Sequence, residues 1–491
     1  MATVGCKLID IIPVVAGAEW AGDLETTITG MSMDSRRVQP GDLYACVPGT
    51  GFDGHDFASQ ALAAGAKALL VERFLPKEVP QIKVAQIRSV LGTVAAAVYG
   101  HPSRQLEVVG VTGTNGKTTV THLIEKIGAF HGRKVGLIGT LGARIDGREI
   151  PGQRTTPEAV ELQGLLAEMV AAGVSLAVME VSSHALDLGR VSGCEYDAGI
   201  FTNLTQDHLD YHKSMEEYLL AKARLFRELK GEKQNKLAVL NRDDGSFATL
   251  AAASAAPVAS YGFQASATYR AEAVKVQPAG VNFAVVWPNG RQAVHYATPG
   301  VFSVYNALAA FAWAVEHGYD PVRVAQALGE IPGVPGRFES IRCGQPFQVI
   351  VDYAHTPDGL ENVLRTAKEF TPRRLITVFG CGGDRDKTKR PLMGEVAARF
   401  SDQVIVTSDN PRSEDPERII EDILAGINGM DYRTITGRQQ AIEAAVRTAG
   451  PGDTVMIAGK GHETYQIIGA AVLPFDDREV TREALRGLGY A

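Results

Sequence analysis

An α/β protein of three domains is predicted: a central parallel sheet of the P-loop type with helices on both faces, a Rossmann-like α/β domain after it, and a smaller α/β domain before it. Three observations predict it. The chain has 491 residues, too many for one core at about 100–200 residues per domain. Short apolar strands alternate with helical periods through the middle and the last third of the chain. Two stretches of turn residues interrupt that alternation, Tyr99-Gly100-His101-Pro102-Ser103 and Ile331-Pro332-Gly333-Val334-Pro335-Gly336, and they divide the chain into 1–103, 104–336 and 337–491.

In the first unit, Gly41-Asp42-Leu43-Tyr44-Ala45-Cys46-Val47-Pro48-Gly49 reads as a strand closed by a Pro-Gly turn, and Ala58 to Ala66 as a small-residue helix. In the second, Leu106–Val111 is a strand running through a glycine-bearing loop into a helix from about Lys117, and further strands are expected at Lys134–Ile138, Leu176–Glu180 and Ala198–Phe201. Tyr218–Phe226 reads as an amphipathic helix. In the third, strands are expected at Phe347–Asp352, Leu375–Phe379, Gln403–Ser408 and Thr454–Ala458.

Hydrophobic residues at 45% and charged residues at 21% describe an ordinary globular chain. A formal charge of -7, with no long basic run, excludes a general nucleic-acid binder. No apolar stretch reaches the roughly 18 residues of a membrane span, and the N-terminus lacks the charged-then-apolar order of a signal peptide. A cytoplasmic location without membrane insertion is expected, and a monomer is the expected state. The five cysteines, Cys6, Cys46, Cys194, Cys343 and Cys381, never fall in C-x-x-C spacing and read as free thiols.

The most informative segment is Gly113-Thr114-Asn115-Gly116-Lys117-Thr118-Thr119. Placed between a strand and a helix, its N–H groups can surround a polyphosphate, Lys117 can reach the terminal phosphates, and the Thr118 hydroxyl stands where P-loop proteins ligate Mg2+. The strict G-x-x-x-x-G-K-[ST] spacing is not met, because Val111 occupies the position of its first glycine. Glu180, closing an apolar strand, is a candidate metal ligand, and by spacing alone is equally a strand-end charge facing water. His208, in the polar run Thr202–His212, is a candidate second ligand; taken alone it reads as a hydrogen-bonded structural histidine.

These segments, with others along the chain, resemble the Mur ligase family, which builds the peptide of bacterial cell-wall precursors. The shared motifs are GTNGKTT, MEVSSH with Arg190, TNLTQDHLDYH, AKARLF, GRFE at Gly336–Glu339, DYAHTPD at Asp352–Asp358 and GCGGDRDKTKRP at Gly380–Pro391; they run through all three units. The resemblance implies an ATP-dependent amide-bond ligase working through an acyl phosphate, with ATP as co-substrate and Mg2+ as cofactor. It implies catalytic roles for Lys117, Lys222 and His208, and ATP contacts from Gly113 to Thr119, Asn306, Arg337 and Asp352. Around the metal it implies Thr118, Glu180, His208 and Lys222, the last as a carbamate. Without the resemblance Lys222 is a lysine snorkelling from a helix into solvent, Asp352 a strand-end acid and Arg337 a linker cation.

Within the family the chain is most similar to the branch that adds meso-diaminopimelate to UDP-N-acetylmuramoyl-L-alanyl-D-glutamate. Met33, Ser35, Thr50, Gly51 and Phe52 match that family's contacts to the UDP end, and Thr155, Thr156, Ser182 and Arg190 its contacts to the muramoyl-dipeptide. Leu188 stands where the family pattern has a glutamine, so one polar contact is expected to be missing. Asp409-Asn410-Pro411-Arg412 resembles the signature of the diaminopimelate branch, with Arg385, Gly459 and Glu463 completing the subsite. A planar guanidinium at Arg412 suits the distal carboxylate, which L-lysine lacks; read without the family, Asn410-Pro411 is a turn after a strand. The rival readings are an L-lysine-adding or folylpolyglutamate-type ligase of the same fold, a P-loop kinase or motor ATPase, and a nucleotide-binding protein without turnover.

Overall fold

The computed structural model describes residues 5–49, 51–152 and 154–490. Three sheets organise it. In the first unit four parallel strands, Gly30–Ser32, Asp42–Ala45, Ala68–Val71 and Gln81–Lys83, are joined at one edge by antiparallel Glu19–Ala21. The helix Ala58–Ala63 is shorter than the run of small residues suggests.

The middle unit is built on an eleven-stranded sheet. Its centre is parallel: Val135–Gly139, Leu176–Glu180, Glu107–Thr112, Ala198–Phe201, Leu237–Asn241 and Val258–Gly262 lie side by side in that order. Alternate residues of one strand face opposite ways, so a strand buried on both faces is apolar throughout. Leu176 and Val178 pack with helices Lys117–Phe130 and Val301–Glu316, while Ala177 and Met179 pack with helices Ala159–Ala171 and Met215–Arg227. Helices therefore cover both faces. Antiparallel strands extend the two edges, Gly142–Ile145 with Arg148–Ile150 on one side and the meander Tyr269–Gln277, Gly280–Trp287, Gly290–Tyr296 on the other. The strand-helix alternation carried no sign of this meander, whose first and last strands alternate exposed residues, among them Lys275, Gln277, Arg291 and His295, with covered ones.

The third unit has five parallel strands in the order Gln348–Asp352, Thr454–Ala458, Leu375–Phe379, Gln403–Val406, Tyr432–Thr434, with Glu339–Ser340 antiparallel at the edge. The chain segments that follow strands 348–352, 375–379, 403–406 and 454–458 leave the same carboxyl edge of the sheet, where ligands of α/β folds bind. All five cysteines are free, and among the described residues no helix is long and apolar enough to cross a membrane.

Candidate functional site

Three neighbouring strands of the central sheet, 176–180, 107–112 and 198–201, bring their carboxyl ends together. The loop from Gly113 to Gly116 leaves the middle strand and enters the helix Lys117–Phe130 through Gly116, which has a φ of 88°. A side chain there would be strained and its Cβ would meet Asn306 Oδ1 at 2.5 Å, so only glycine lets Asn306 approach the loop. The run Thr202–Thr205 holds the loop from the next strand. Thr114 N donates to Asn203 O (2.8 Å), Asn115 N to Asn203 Oδ1 (2.9 Å), and Thr202 Oγ1 to Asn115 O (2.6 Å). Lys117 Nζ lies back over the loop, donating to the carbonyls of Gly113 (2.9 Å) and Thr114 (2.8 Å). Burial lowers its pKa, as does the nearby Arg337, against the opposing charges of Glu180 and Asp207.

Glu180 is 1% exposed and does not face water. One oxygen accepts from Thr140 N (2.8 Å), the other from the hydroxyls of Thr118 and Thr140 (both 3.0 Å). A buried carboxylate against the Thr118 hydroxyl at the head of a phosphate loop is a donor set that suits a hard divalent cation. Among the described residues no three His, Cys, Asp or Glu side chains form a metal-binding group, so the chain's contribution here is oxygen from two residues of different type.

Lys222 is 1% exposed. Its Nζ donates to Gly113 O (2.9 Å) and lies 4.2 Å from the centre of the Tyr218 ring, whose hydroxyl reaches Thr114 Oγ1 (3.2 Å). Burial and then the charge of Lys117 hold its pKa well below that of an ordinary lysine, against Asp207. It is not the solvated lysine that its helix alone suggests. His208, with φ 57°, sits edge-on to His184 at 4.8 Å between ring centres; burial brings its pKa down to about 3, so the ring is neutral and has a nitrogen lone pair that can be donated to a metal. The buried Asp207 beside it lies 3.6 Å from Lys389 Nζ and 3.8 Å from His355 Nε2, both of the third unit. Burial raises its pKa, but the neighbouring His355 and the surrounding positive charges outweigh that and hold the carboxyl well below the usual range.

Further contacts join the phosphate loop to the third unit. Asn115 Nδ2 donates to Asp358 Oδ2 (2.9 Å), and Arg337 Nη2 to Thr118 Oγ1 (2.9 Å). Asp352 is buried and accepts from Phe338 N (2.7 Å) and Ala354 N (2.6 Å), fixing the backbone next to Arg337 and next to its ring partner, Tyr353. The guanidinium of Arg337 lies 4.4 Å from that ring centre. Burial and the negative charges of Glu463 and Asp409 raise the Tyr353 phenol, and its ring centre lies 4.8 Å from that of His462, the residue before Glu463 in a second cluster of charges.

That cluster gathers Arg385, Asp409, Asn410, Pro411, Arg412, Gly459 and Glu463. Gly459 has φ 116°, and a Cβ on it would press on Asp409 Oδ2 at 2.8 Å. Arg412, also at positive φ (52°), uses only Nη1, toward Gly383 O (2.8 Å) and Asn410 O (3.4 Å). Arg385 uses only Nη1, toward Asp384 O (2.9 Å). The Nε and Nη2 groups of both arginines have no partner among the described residues. Asn410 is buried, its amide spent on Lys460, Glu463 and Ile467 N.

Toward the first unit, Thr156 Oγ1 donates to Glu180 O (2.8 Å) and accepts from Ser182 N (3.1 Å), while Ser182 caps the helix Ser183–Asp187. Thr155 Oγ1 is 3.1 Å from Thr140 Oγ1, and Arg190 Nε is 3.0 Å from Glu158 Oε1. Leu188 is exposed and apolar. In the first unit Ser35 Oγ donates to Gln60 Oε1 (3.1 Å), Met33 packs against the core, and Gly51 precedes Phe52, 65% exposed and edge-on to Phe57. Thr50 lies outside the described residues.

Three family models match the chain: Mur ligase family, catalytic domain, over residues 27–99, Mur ligase middle domain over 111–314, and Mur ligase, glutamate ligase domain, over 336–461. A UDP-N-acetylmuramoyl-L-alanyl-D-glutamate--2,6-diaminopimelate ligase of Geobacillus thermodenitrificans is 50% identical over 464 residues, covering 94% of this chain and 95% of that one. The chain belongs to the Mur ligase family. A ligase of the same description from Syntrophomonas wolfei is 47% identical over 486 residues, 98% of this chain and 99% of the relative. A solved structure of a UDP-N-acetylmuramoyl-L-alanyl-D-glutamate--2,6-diaminopimelate ligase superposes with a TM-score of 0.69 at 34% identity, covering 99% and 100% of the two chains. An Acinetobacter baumannii MurF structure, at 19% identity and a TM-score of 0.71 over 99% of each chain, shares the fold.

In this Mur ligase, residues that sequence reasoning passed over complete the site. Tyr218 touches both Lys222 and Thr114, Tyr353 lies against Arg337 and His462, and Lys460 is wholly buried and bonded to Asn410 and Glu463. One signal was available for the first. Tyr218, Ala221, Lys222 and Leu225 fall at i, i+3, i+4 and i+7, the spacing of a buried helix face, and all four are buried. Nothing comparable marks Lys460, since an isolated lysine after a strand is ordinarily exposed.

Proposed function

We propose that this chain is the ATP-dependent ligase that adds meso-diaminopimelate to the D-glutamate carboxylate of UDP-N-acetylmuramoyl-L-alanyl-D-glutamate, acting in the cytoplasm as a monomer. The observation that carries this reading is the short path Thr118, Arg337, Tyr353, His462, which connects the phosphate loop to a cluster holding two partly free guanidinium groups and the carboxylate of Glu463, next to His462 in the chain. Relatives with the matching printed activity at 50% and 47% identity over nearly the whole chain support it.

Residues 104–336 bind ATP, 1–103 the UDP end of the precursor, and 337–491 the amino acid. A carboxylate oxygen of D-glutamate attacks the γ-phosphorus and ADP leaves; the amine of diaminopimelate then attacks the acyl carbon, and phosphate departs from the tetrahedral intermediate. Lys117 leaves its loop carbonyls for the transferring phosphoryl group, and Arg337 adds a second cation. Mg2+, held by Thr118, Glu180, His208 and the carbamate of Lys222, would supply charge neutralisation across the phosphate oxygens. A buried lysine with a depressed pKa offers the neutral amine that carbon dioxide needs to form a carbamate. Thr155, Thr156, Ser182 and Arg190 orient the precursor, and Arg412 and Arg385 pair with the distal carboxylate of the amino acid.

The test is ADP release by the purified chain with every combination of the UDP-linked dipeptide and diaminopimelate. Release that needs both is expected. Release without either acceptor, or with a hydroxyl compound in place of the amine, would overturn the ligase reading.

A further inference from the structure

Lys460 follows the strand Thr454–Ala458 by two residues and is 0% exposed. A cation taken wholly out of water must be paired, and Lys460 has two acceptors: Nζ donates to Glu463 Oε2 (2.8 Å) and to Asn410 Oδ1 (3.1 Å). Each of these is in turn fixed by the other, since Asn410 Nδ2 donates to the same Glu463 oxygen (2.8 Å), while Ile467 N donates to Asn410 Oδ1 (2.9 Å). One oxygen of Glu463 is thereby spent inside the protein. Among the described residues nothing donates to the other, Oε1, and the side chain keeps 14% of its exposure.

We propose that Lys460 is a positioning residue for the amino-acid subsite: its buried ammonium locks Asn410 and turns Glu463 so that one carboxylate oxygen faces the pocket to receive a substrate ammonium. Without the lysine, the Glu463 carboxylate and the Asn410 amide each lose one of the contacts that hold them, so Glu463 and the Asp409–Arg412 turn lose part of their common orientation. Lys460 acts on amino-acid binding and leaves the phosphate loop alone. This inference rests on the proposed ligase reading. If the native chain does not turn over with diaminopimelate, that reading fails; if it does and the Lys460 variant is indistinguishable from it, only the inference fails.

The experiment compares Lys460→Met, which keeps the volume and removes the charge, with Glu463→Gln and the double variant, measuring KM for diaminopimelate, ATP and the UDP-linked dipeptide separately. The expected result is a rise of about tenfold or more in KM for diaminopimelate with the other two within about twofold. In the Glu463→Gln background the same change should add little, because the two residues act as one unit. A parallel rise of all three KM values, no rise, or strictly additive effects would overturn the inference. Should Lys460→Met not fold, lysine-selective 15N spectra of the native chain decide it. One ammonium resonance protected from solvent exchange should shift on adding diaminopimelate and not on adding ATP; no protected resonance, or no response to diaminopimelate, would overturn it.

Discussion

Around the phosphate loop Lys117, Lys222, Thr114, Asn115, Thr118 and Glu180 each have a partner inside the chain, whereas at the other end of the site Arg385 and Arg412 hold out Nε and Nη2 with none among the described residues. The first region is paired with itself, so under the proposed function its substrate replaces existing contacts, Lys117 giving up two carbonyls to take a phosphate. The second offers guanidinium groups that suit the anion proposed for it. Changes at the loop should therefore affect every turnover, and changes at the arginine end should affect which amino acid is used.

The largest effect is expected from Lys117→Ala. Removing the cation that follows the transferring phosphoryl group should lower turnover by about a thousand-fold or more with any amino acid, at nearly unchanged thermal stability, because among the described residues the ammonium donates to two loop carbonyls alone. Near-normal ADP release by the folded variant would break the contrast. Lys222→Ala should follow, with turnover down about a hundred-fold or more and partly restored by acetate or formate, whose oxygens can stand in for the carbamate. Mass spectrometry of the native chain in bicarbonate should show the added carboxyl group. A native lysine that stays unmodified, or a variant that no carboxylate rescues, would remove Lys222 from the loop region's chemistry.

The smallest effect concerns His462, whose ring lies tilted against Tyr353 with a ring-centre distance of 4.8 Å. Burial, with the charges of Arg337 and Arg478, brings its pKa down to about 3, against about 6.5 in an unfolded chain. Between those values the unfolded chain binds a proton that the folded one refuses, so the stability this neutral ring allows is complete above about pH 6.5 and is lost as pH falls toward 3, by up to about 1.4 kcal/mol per pH unit. His462→Gln should flatten the fall of Tm between pH 6.5 and 4.5. Parallel Tm curves for the two proteins would show that the ring is not held neutral.

Much of the frame was legible in the sequence. Leu176–Glu180, Ala198–Phe201, Leu375–Phe379 and Thr454–Ala458 are observed with the bounds that their apolar runs suggest, because a parallel strand buried on both faces has no polar interruption. The meander at 269–296 was not legible, since a half-exposed edge strand with lysine, glutamine and arginine on one face resembles a loop. In the site, the glycines and Lys117 were visible through their spacing. The burial of Lys222 depends on a helix face and that of Lys460 on the turn Asp409–Arg412 folding over it from a strand roughly fifty residues earlier, and local composition carries no trace of such long-range packing.

Arg412 is the group proposed to choose the amino acid, and kcat/KM for diaminopimelate and L-lysine, measured on native chain and Arg412→Ala side by side, tests that role most directly. The native chain should prefer diaminopimelate strongly. The variant should lose about a hundred-fold or more with diaminopimelate, the cost of leaving its distal carboxylate unpaired, while its already low value with L-lysine changes little. A native preference for L-lysine, or an equal loss with both amino acids, would contradict it.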